Sequence, residues 1–324
     1  MVDGSPRHPI SPQDAGFQAP TSGDLSLPQH DLVLPDTVPQ TAKDIWGPNA
    51  IRIHRVEGDG ENARGFLTVT PELVAWTRSL PAITGFRRAD GETGIGTLTP
   101  RAHFTGHFGG LLSQYKLLPG HYSERAGAMT AGLTAANTSL ADFTGEVVVI
   151  DIAGVDFSGV VQPGGTGVFM AELLGQEGSD YYANIRGSNR EKEIINMRGV
   201  HFRIKPTDES ILPTDEIDEA AVQAVAAIGL GIDGLELDDQ GVPISVGLFK
   251  RIAGSKYYRA VKAGDELQTI PKGLMKRISG DRGILMAGAK VINQCGELVA
   301  SYDKMTAGII SYKDASKRFQ GQAA

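Results

Sequence analysis

One histidine, His107, lies in a glycine-rich segment that reads Phe-Thr-Gly-His-Phe-Gly-Gly over residues 104–110. A neutral imidazole accepts a proton readily near neutral pH, because its ordinary pKa is about 6.5. The backbone N–H groups of Gly109 and Gly110 can come close to a ligand, since glycine has no side chain. The segment therefore predicts a proton acceptor next to backbone hydrogen-bond donors.

A carboxylate at the start of a helix-like stretch is the second candidate group. Residues 213–223 read Pro-Thr-Asp-Glu-Ile-Asp-Glu-Ala-Ala-Val-Gln, so Glu219 follows Pro213 by six positions and Gln223 follows Glu219 by four. Positions four apart share one face of a helix. A carboxyl group and an amide on one face of a helix are candidate groups for proton transfer and for hydrogen bonding to a ligand.

A second Pro-containing segment, Leu-Leu-Pro-Gly, ends at Gly120, whose N–H group is a further candidate donor. Glu124 and Asp218 are further acids near the starts of the two helix-like stretches.

Each candidate also has a purely structural interpretation. His107 can be a turn or core histidine, and Glu219 can simply stabilise the positive end of a helix dipole. Gln223 can be an exposed polar residue of a helix. His201 belongs to a strand-like segment and is better interpreted as structural.

Two other sequence patterns resemble ligand-binding motifs. His103, His107 and His121 are close in sequence, but a spacing of four aligns metal ligands only on a helix, and the surrounding residues favour strand and loop. Residues 229–234 match a dinucleotide fingerprint, yet they follow a helix, whereas that motif requires a preceding strand. We interpret them as a helix end and a turn, and we predict no metal and no organic cofactor.

The composition limits the class of protein. The chain has 324 residues, 41% of them hydrophobic, and a formal net charge of −7, which argues against a nucleic-acid surface. Cys295 is the single cysteine, so an internal disulfide is impossible and a reducing compartment is favoured. No apolar run approaches the roughly 20 residues that cross a bilayer, and the first residues lack the apolar stretch of a signal peptide. We predict a cytoplasmic protein without a membrane span.

Periodicity predicts two units, each with a small-residue helix followed by strands, an α+β arrangement. Residues 1–44 are predicted to form a tail, because they carry few apolar residues. A strand is predicted at 50–56 and a short helix at 71–80. The first unit has a helix at 122–136 and strands at 147–157, 167–174, 181–186 and 193–204; the second has a helix at 217–228 and strands at 246–252, 266–272, 283–293 and 297–310.

The two units have the marks of a duplication. The segment 126–132 aligns with 223–229 at an offset of 97 residues, and 161–165 aligns with 261–265 at an offset of 100 residues. A nearly constant offset is typical of an internal repeat.

The order of these motifs resembles the FabA/FabZ family of 3-hydroxyacyl-carrier-protein dehydratases. The matching features are Gly-His-Phe at residues 106–108, Pro-Gly before the first helix, Pro213 to Gln223, the turn-like 262–267 and the strand start 296–300. The resemblance covers about 210 residues. It implies the hotdog fold, an antiparallel sheet wrapped around a central helix.

With the repeat, the resemblance implies a double hotdog, in which two such sheets pair as a pseudo-dimer. We predict a first hotdog at 45–206, a second, N-terminally shortened one at 207–314, and a C-terminal tail at 315–324. In the family, each site takes its histidine from one subunit and its acid from the other. One composite site of His107 and Glu219 is therefore expected.

The implied activity is a lyase reaction, the removal of water from a 3-hydroxyacyl thioester in fatty acid or polyketide biosynthesis. The implied partner is an acyl carrier protein, or coenzyme A, that holds the acyl group. Gly109 replaces the proline of the family motif. The family places its acid six residues after the proline of its Pro-Gly motif. In the first unit this position is Arg125, and Glu124 comes one residue early, a rotation of about 100° on a helix. In the second unit the position is Glu219, and we keep Glu124 and Asp218 as alternative acids. Hydration of an acyl-CoA, thioester hydrolysis, non-catalytic binding of acyl chains or a synthase partner, and a glycine-rich structural role stay open, as does a homodimer of pseudo-dimers.

Overall fold

The computed structural model describes residues 29–30, 53, 55–58, 63–79, 82–98, 120–159, 165–189, 192–231, 235–240, 243–280 and 282–320. His107, Gly109 and Gly110 lie outside these ranges. So does the predicted tail at 1–44, apart from residues 29–30.

Four helices are present in the described part of the chain: α1 (Pro71–Ser79), α2 (Gly120–Ala136), α3 (Thr214–Leu230) and α4 (Tyr312–Gln320). The prediction of α1, α2 and α3 is confirmed within a few residues. Both α2 and α3 are rich in small residues and are largely buried, so neighbouring strands approach them closely. Helix α4 overlaps the segment that was predicted to be a C-terminal tail.

The strands form one antiparallel sheet. They are β1 (Gln29–His30), β2 (Arg55–Glu57), β3 (Arg64–Thr68), β4 (Gly85–Arg88), β5 (Thr93–Leu98), β6 (Gly145–Phe157), β7 (Gly167–Glu177), β8 (Asp180–Asn189), β9 (Lys192–Pro206), β10 (Leu235–Leu237), β11 (Pro243–Tyr257), β12 (Glu266–Ser279), β13 (Arg282–Asn293) and β14 (Leu298–Ser311). Their order is β1-β2-β3-β12-β13-β14-β11-β6-β9-β8-β7-β5-β4, and β10 pairs with β11. This large antiparallel sheet with few helices fits a hotdog fold.

The sheet contains the same strand arrangement twice. The first unit consists of β5, α2 and β6 to β9, and its strands lie in the order β5-β7-β8-β9-β6; the second consists of β3, α3 and β11 to β14, in the order β3-β12-β13-β14-β11. The units join where β11 pairs with β6, for example Ile252 opposite Val155. In both units, the strand that precedes the helix in the chain lies farthest from this junction.

The first strand of the second unit comes from the N-terminal side of the chain. Leu67 of β3 pairs with Leu267 of β12, whereas the sequence-based boundary at residue 206 assigned β3 to the first unit and left the second one shortened. The first unit is therefore inserted between β3 and α3. The predicted boundary assumed that each unit is one continuous stretch of sequence, but the hydrogen bonds of β3 join it to the second unit.

Each central helix packs against the first strand of its unit at a glycine. A Cβ atom at Gly65 of β3 would lie 2.5 Å from the Cβ of Ala224, and a Cβ atom at Gly96 of β5 would collide with the hydroxyl of Thr130. Thr130 and Ala224 are the eleventh residues of α2 and α3, respectively. The two units therefore repeat not only the strand order but also the closest contact between helix and sheet.

Candidate functional site

The first turns of α2 and α3 meet at the junction of the two units and bring buried carboxyl groups together. Glu124 is the fifth residue of α2 and Asp218 the fifth residue of α3, and they are 3% and 1% exposed. Each carboxyl group lies within hydrogen-bonding reach of the other. A pair of acids in corresponding helix positions therefore lies at the centre of the molecule.

Two tyrosines hold the carboxyl group of Asp218. The Tyr257 hydroxyl donates to Oδ2 at 2.5 Å, and the Tyr302 hydroxyl donates to Oδ1 at 2.7 Å. Burial raises the pKa of Asp218 to about 6, and the two tyrosine hydrogen bonds oppose this rise. Burial, followed by the negative charge of Asp218, raises the pKa values of Tyr257 and Tyr302 well above their ordinary value, so both hydroxyls keep their protons.

The Glu124 carboxyl group strongly favours its protonated form. Burial and then the charge of Asp218 raise its pKa well above the ordinary value. Its Oε2 atom has no hydrogen-bond partner in the part of the chain that the structure describes. Asp218 accepts hydrogen bonds from two tyrosines, and these bonds favour its ionised form.

Arg125 links three helices at the same junction. Its Nε donates to Asp215 at 2.9 Å, its Nη2 donates to Glu216 at 2.9 Å, and its Nη1 donates to the backbone oxygen of Thr77 at 2.6 Å. Its guanidinium group also lies over the Tyr122 ring, 5.1 Å from the ring centre. Arg125 occupies in α2 the position that Glu219 occupies in α3, and it neutralises two buried carboxylates there.

The predicted acid, Glu219, lies on the half-buried side of α3. The side-chain amide of Gln223 donates to its Oε1 at 3.0 Å, and Gln223 itself is only 6% exposed. The negative charge of Glu219 is the weakest of the causes that raise the pKa of Glu124. Glu219 and Gln223 lie on α3 with the alternative acid Asp218, and the other alternative acid, Glu124, lies on α2.

The remaining predicted residues are only partly described. Gly120 begins α2, where the first backbone N–H groups have no partner within the helix. His107, Gly109 and Gly110 lie outside the described residues, as do His103 and the side chain of His121. Within the described ranges, no group of three or more His, Cys, Asp or Glu side chains is arranged to hold a metal ion.

His201 lies on a strand and contacts other side chains of the sheet, as the sequence predicted. Its two ring nitrogens lie 2.8 Å from Asp151 and 2.9 Å from Asp180, and its ring stacks on Tyr182 with ring centres 4.7 Å apart. These contacts engage both nitrogens on the sheet, away from the helix junction.

A partly open cavity of about 280 Å³ reaches the junction beside Glu124. Arg78 of α1 lies in its wall, where Nη2 pairs with Glu146 at 2.8 Å and Nε donates to the backbone oxygen of Ile211 at 2.6 Å. The cavity is lined by Thr77, Arg78, Ala82, Glu124, Arg125, Ala128, Met129, Gly145, Glu146, Val147, Val149, Thr207, Pro213, Thr214, Asp215 and Tyr257.

Sequence reasoning did not identify Tyr257 and Tyr302 as members of the site. Tyr302 lies two residues after buried Ala300 in β14, so the period of two along a strand places both on the core face. Tyr257 is the last residue of β11, beyond the predicted end of that strand at residue 252. The strand pattern could have indicated that Tyr302 is buried, but not that it binds Asp218.

Comparisons with known proteins give only distant matches. No family model matches the chain, and no curated protein does. Similar solved structures include an acyl-ACP thioesterase from Bacteroides thetaiotaomicron, with 9% identity, coverage of 67% of this chain and 97% of that chain, and a TM-score of 0.41. The dehydratase domain of the polyketide PpsC from Mycobacterium tuberculosis has 13% identity, coverage of 71% and 98%, and a TM-score of 0.41.

A bifunctional dehydratase-cyclase domain in ambruticin biosynthesis is similar at 9% identity, with coverage of 74% of this chain and 99% of that chain and a TM-score of 0.42. Similarities of this size do not assign an activity to this chain. Across the described residues, every helix is too short or too polar to cross a membrane.

Proposed function

We propose that this protein is a double-hotdog dehydratase that removes water from a 3-hydroxyacyl thioester carried by an acyl carrier protein. The sequence motifs around His107 and Glu219 support this reaction. The repeated strand order and the side-by-side central helices support a fused pair of hotdog units.

The position of Glu219 carries the proposal. Asp215 and Glu216, which precede Glu219 in the first turn of α3, both bind Arg125 of α2, so this part of α3 packs on the helix of the first unit. The Gln223 amide fixes one oxygen of Glu219. His107 precedes α2 by 13 positions in the chain, so a composite site of first-unit histidine and second-unit acid is the arrangement that we propose.

The proposed mechanism needs no cofactor. Neutral His107 takes a proton from the carbon next to the thioester carbonyl, and the Glu219 carboxyl group gives a proton to the hydroxyl that leaves as water from the next carbon. The N–H of Gly120 at the start of α2, with Gly109 and Gly110 as further donors, stabilises negative charge on the thioester oxygen.

The first experiment follows a panel of 3-hydroxyacyl carrier proteins by mass spectrometry and records loss of water. His107→Ala and Glu219→Gln are each expected to lower turnover by at least about 100-fold, because each removes a proton-transfer group. Glu209→Gln is the matched control, since Glu209 is exposed and lies before α3. Full activity of His107→Ala would contradict the mechanism.

The same assay separates the other hotdog activities. Thioester hydrolysis releases the free acid and leaves the carrier with a free thiol, so the carrier loses the mass of the whole acyl group rather than about 18 Da of water. Hydration is tested separately, by adding the enoyl substrate and recording a gain of water. An inert wild-type protein that retains acyl carriers would instead indicate a non-catalytic binding protein.

A further inference from the structure

We propose that the cavity beside Glu124 is a second binding site, for an uncharged ligand that carries a hydroxyl or amide group on a short aliphatic body. Glu219 is not among the residues that line this cavity. The proposal goes beyond the proposed reaction and does not depend on it.

The charges of the cavity wall are already paired within the protein. Arg78 pairs with Glu146 at 2.8 Å, and Arg125 pairs with Asp215 at 2.8 Å. Arg125 also binds Glu216 at 2.9 Å. A charged ligand would have to break one of these pairs or enter without a counter-ion, and both are costly in a buried site. The cavity therefore favours an uncharged ligand.

Glu124 supplies the polar contact. Its side chain lines the cavity and is 3% exposed. The Oε2 atom is enclosed by the protein, so a ligand in the cavity meets the carboxyl group at its other oxygen, Oε1. An O–H or N–H group of a ligand can donate a hydrogen bond there, whereas an anion would be repelled by the nearby carboxylates.

Part of the cavity lining is apolar. Ala128 and Met129 of α2 and Val147 and Val149 of β6 contribute aliphatic side chains to its lining. A volume of about 280 Å³ is close to the lower limit of known ligand pockets, about 300 Å³. The body of the ligand is therefore short and aliphatic.

Methyl NMR of the full chain tests the site with four probes of similar size. The protein is labelled at its methionine methyl groups, and the Met129 signal is the one that is missing from the spectrum of Met129→Leu. Titration of 1-butanol or butanamide is expected to shift this signal. Butyrate and n-butylammonium are expected to bind at least about tenfold more weakly, because each brings an unpaired charge.

Two substitutions of Glu124 separate the contribution of its hydrogen-bond acceptor from that of its size. Glu124→Gln keeps an acceptor oxygen and is expected to bind 1-butanol within about twofold of wild type, whereas Glu124→Leu is expected to bind it at least about fivefold more weakly. Ala128→Leu leaves Glu124 in place, fills the cavity and is expected to abolish binding. Met170→Leu, on an exposed part of β7, is the control.

Three results would overturn the proposal. The first is a Met129 signal that responds to neither uncharged probe. The second is a charged probe that binds as tightly as 1-butanol. The third is a Glu124→Leu variant that binds 1-butanol as tightly as wild type does. Thermal unfolding of each variant establishes that the compared proteins are folded.

Discussion

Arg125 is the residue whose loss should cost the most stability at the helix junction. It is the cation that the structure places against Asp215 and Glu216, which are 6% and 1% exposed. Arg125→Leu leaves these two carboxylates without that partner, and we expect a loss of about 3–5 kcal/mol in the free energy of unfolding. Urea unfolding at pH 7 measures it.

Arg259→Leu is the matched control for this measurement. Arg259 pairs with Glu297 at 2.9 Å, but its side chain is 52% exposed. Exposed pairs contribute about 0–1 kcal/mol. Equal losses in the two variants would contradict the view that burial makes the Arg125 pairs important.

The Glu124–Asp218 pair should make the protein less stable as pH rises. The pKa of Asp218 is about 6 in the folded state against an ordinary value of 3.8, so above pH 3.8 the unfolded chain loses a proton that the folded protein retains. Stability therefore falls as pH rises from the unfolded pKa through about 6, by up to about 3 kcal/mol for this group. The raised pKa of Glu124 acts in the same direction at higher pH.

Glu124→Gln tests this pH dependence. Its amide still donates to Asp218 but does not titrate, so the penalty at high pH is smaller than in wild type. We expect the stability of the variant relative to wild type to increase between pH 5 and pH 8 in urea unfolding. A difference that stays constant over this range would contradict the raised pKa of Glu124 in the folded protein.

At the residue scale, only part of the site could be predicted. The spacing of the family that the sequence resembles, counted from Pro213, gave Glu219 and Gln223 as candidates. The same spacing counted from Pro119 gave Glu124 only as a displaced acid. Its pairing with Asp218 depends on how two helices meet, and no local sequence pattern contains that information.

At the element scale, the close contact of each helix with its first strand should be sensitive to side-chain size. A Cβ atom at Gly96 would collide with Thr130 of α2, and one at Gly65 would lie 2.5 Å from Ala224 of α3. Gly96→Val and Gly65→Val are each expected to lower the free energy of unfolding by about 1–3 kcal/mol, because the helix must move away. Thermal unfolding provides the measurement.

Gly91→Ala is the control for these two variants. A Cβ atom at Gly91 has no neighbouring atom within 4 Å, so only a small change is expected. If Gly96→Val behaved like this control, the close packing of α2 on β5 would be contradicted.

Most helices and strands could be predicted, since long periodic segments carry a strong signal. The helix predicted at 217–228 is observed as Thr214–Leu230, and the strand predicted at 266–272 extends to Ser279. The short strands β3 and β5 were missed. Both are interrupted by glycines that face a helix, and those glycines weaken the strand pattern.

At the scale of the whole molecule, the second unit should depend on a distant segment of the chain. Residues 266–269 of β12 pair with β3. Deleting residues 1–70 is expected to increase hydrogen exchange in β12 and in α3, because their neighbouring strand is gone. Deleting residues 1–28, which precede β1, serves as the control. Unchanged protection of residues 266–269 after the longer deletion would contradict this dependence.

The insertion of one unit into the other could not be predicted from the sequence. Element order indicated two helix-then-strands repeats, and both are present. The predicted boundary at residue 206 assumed that each unit is contiguous. The partner of β3 is determined by sheet pairing across the molecule, and its five residues contain no signal for a partner in β12.

This insertion also has a consequence for synthesis on the ribosome. Leu67 pairs with Leu267, so its partner is translated 200 residues later (267 − 67). At about 5–20 residues per second, β3 waits roughly 10–40 s for β12. During that time, the strands of the first unit, from β5 to β9, emerge in an uninterrupted stretch and can pair with one another. The nascent protein therefore completes its inner unit first and closes its outer one only after β12 has been translated.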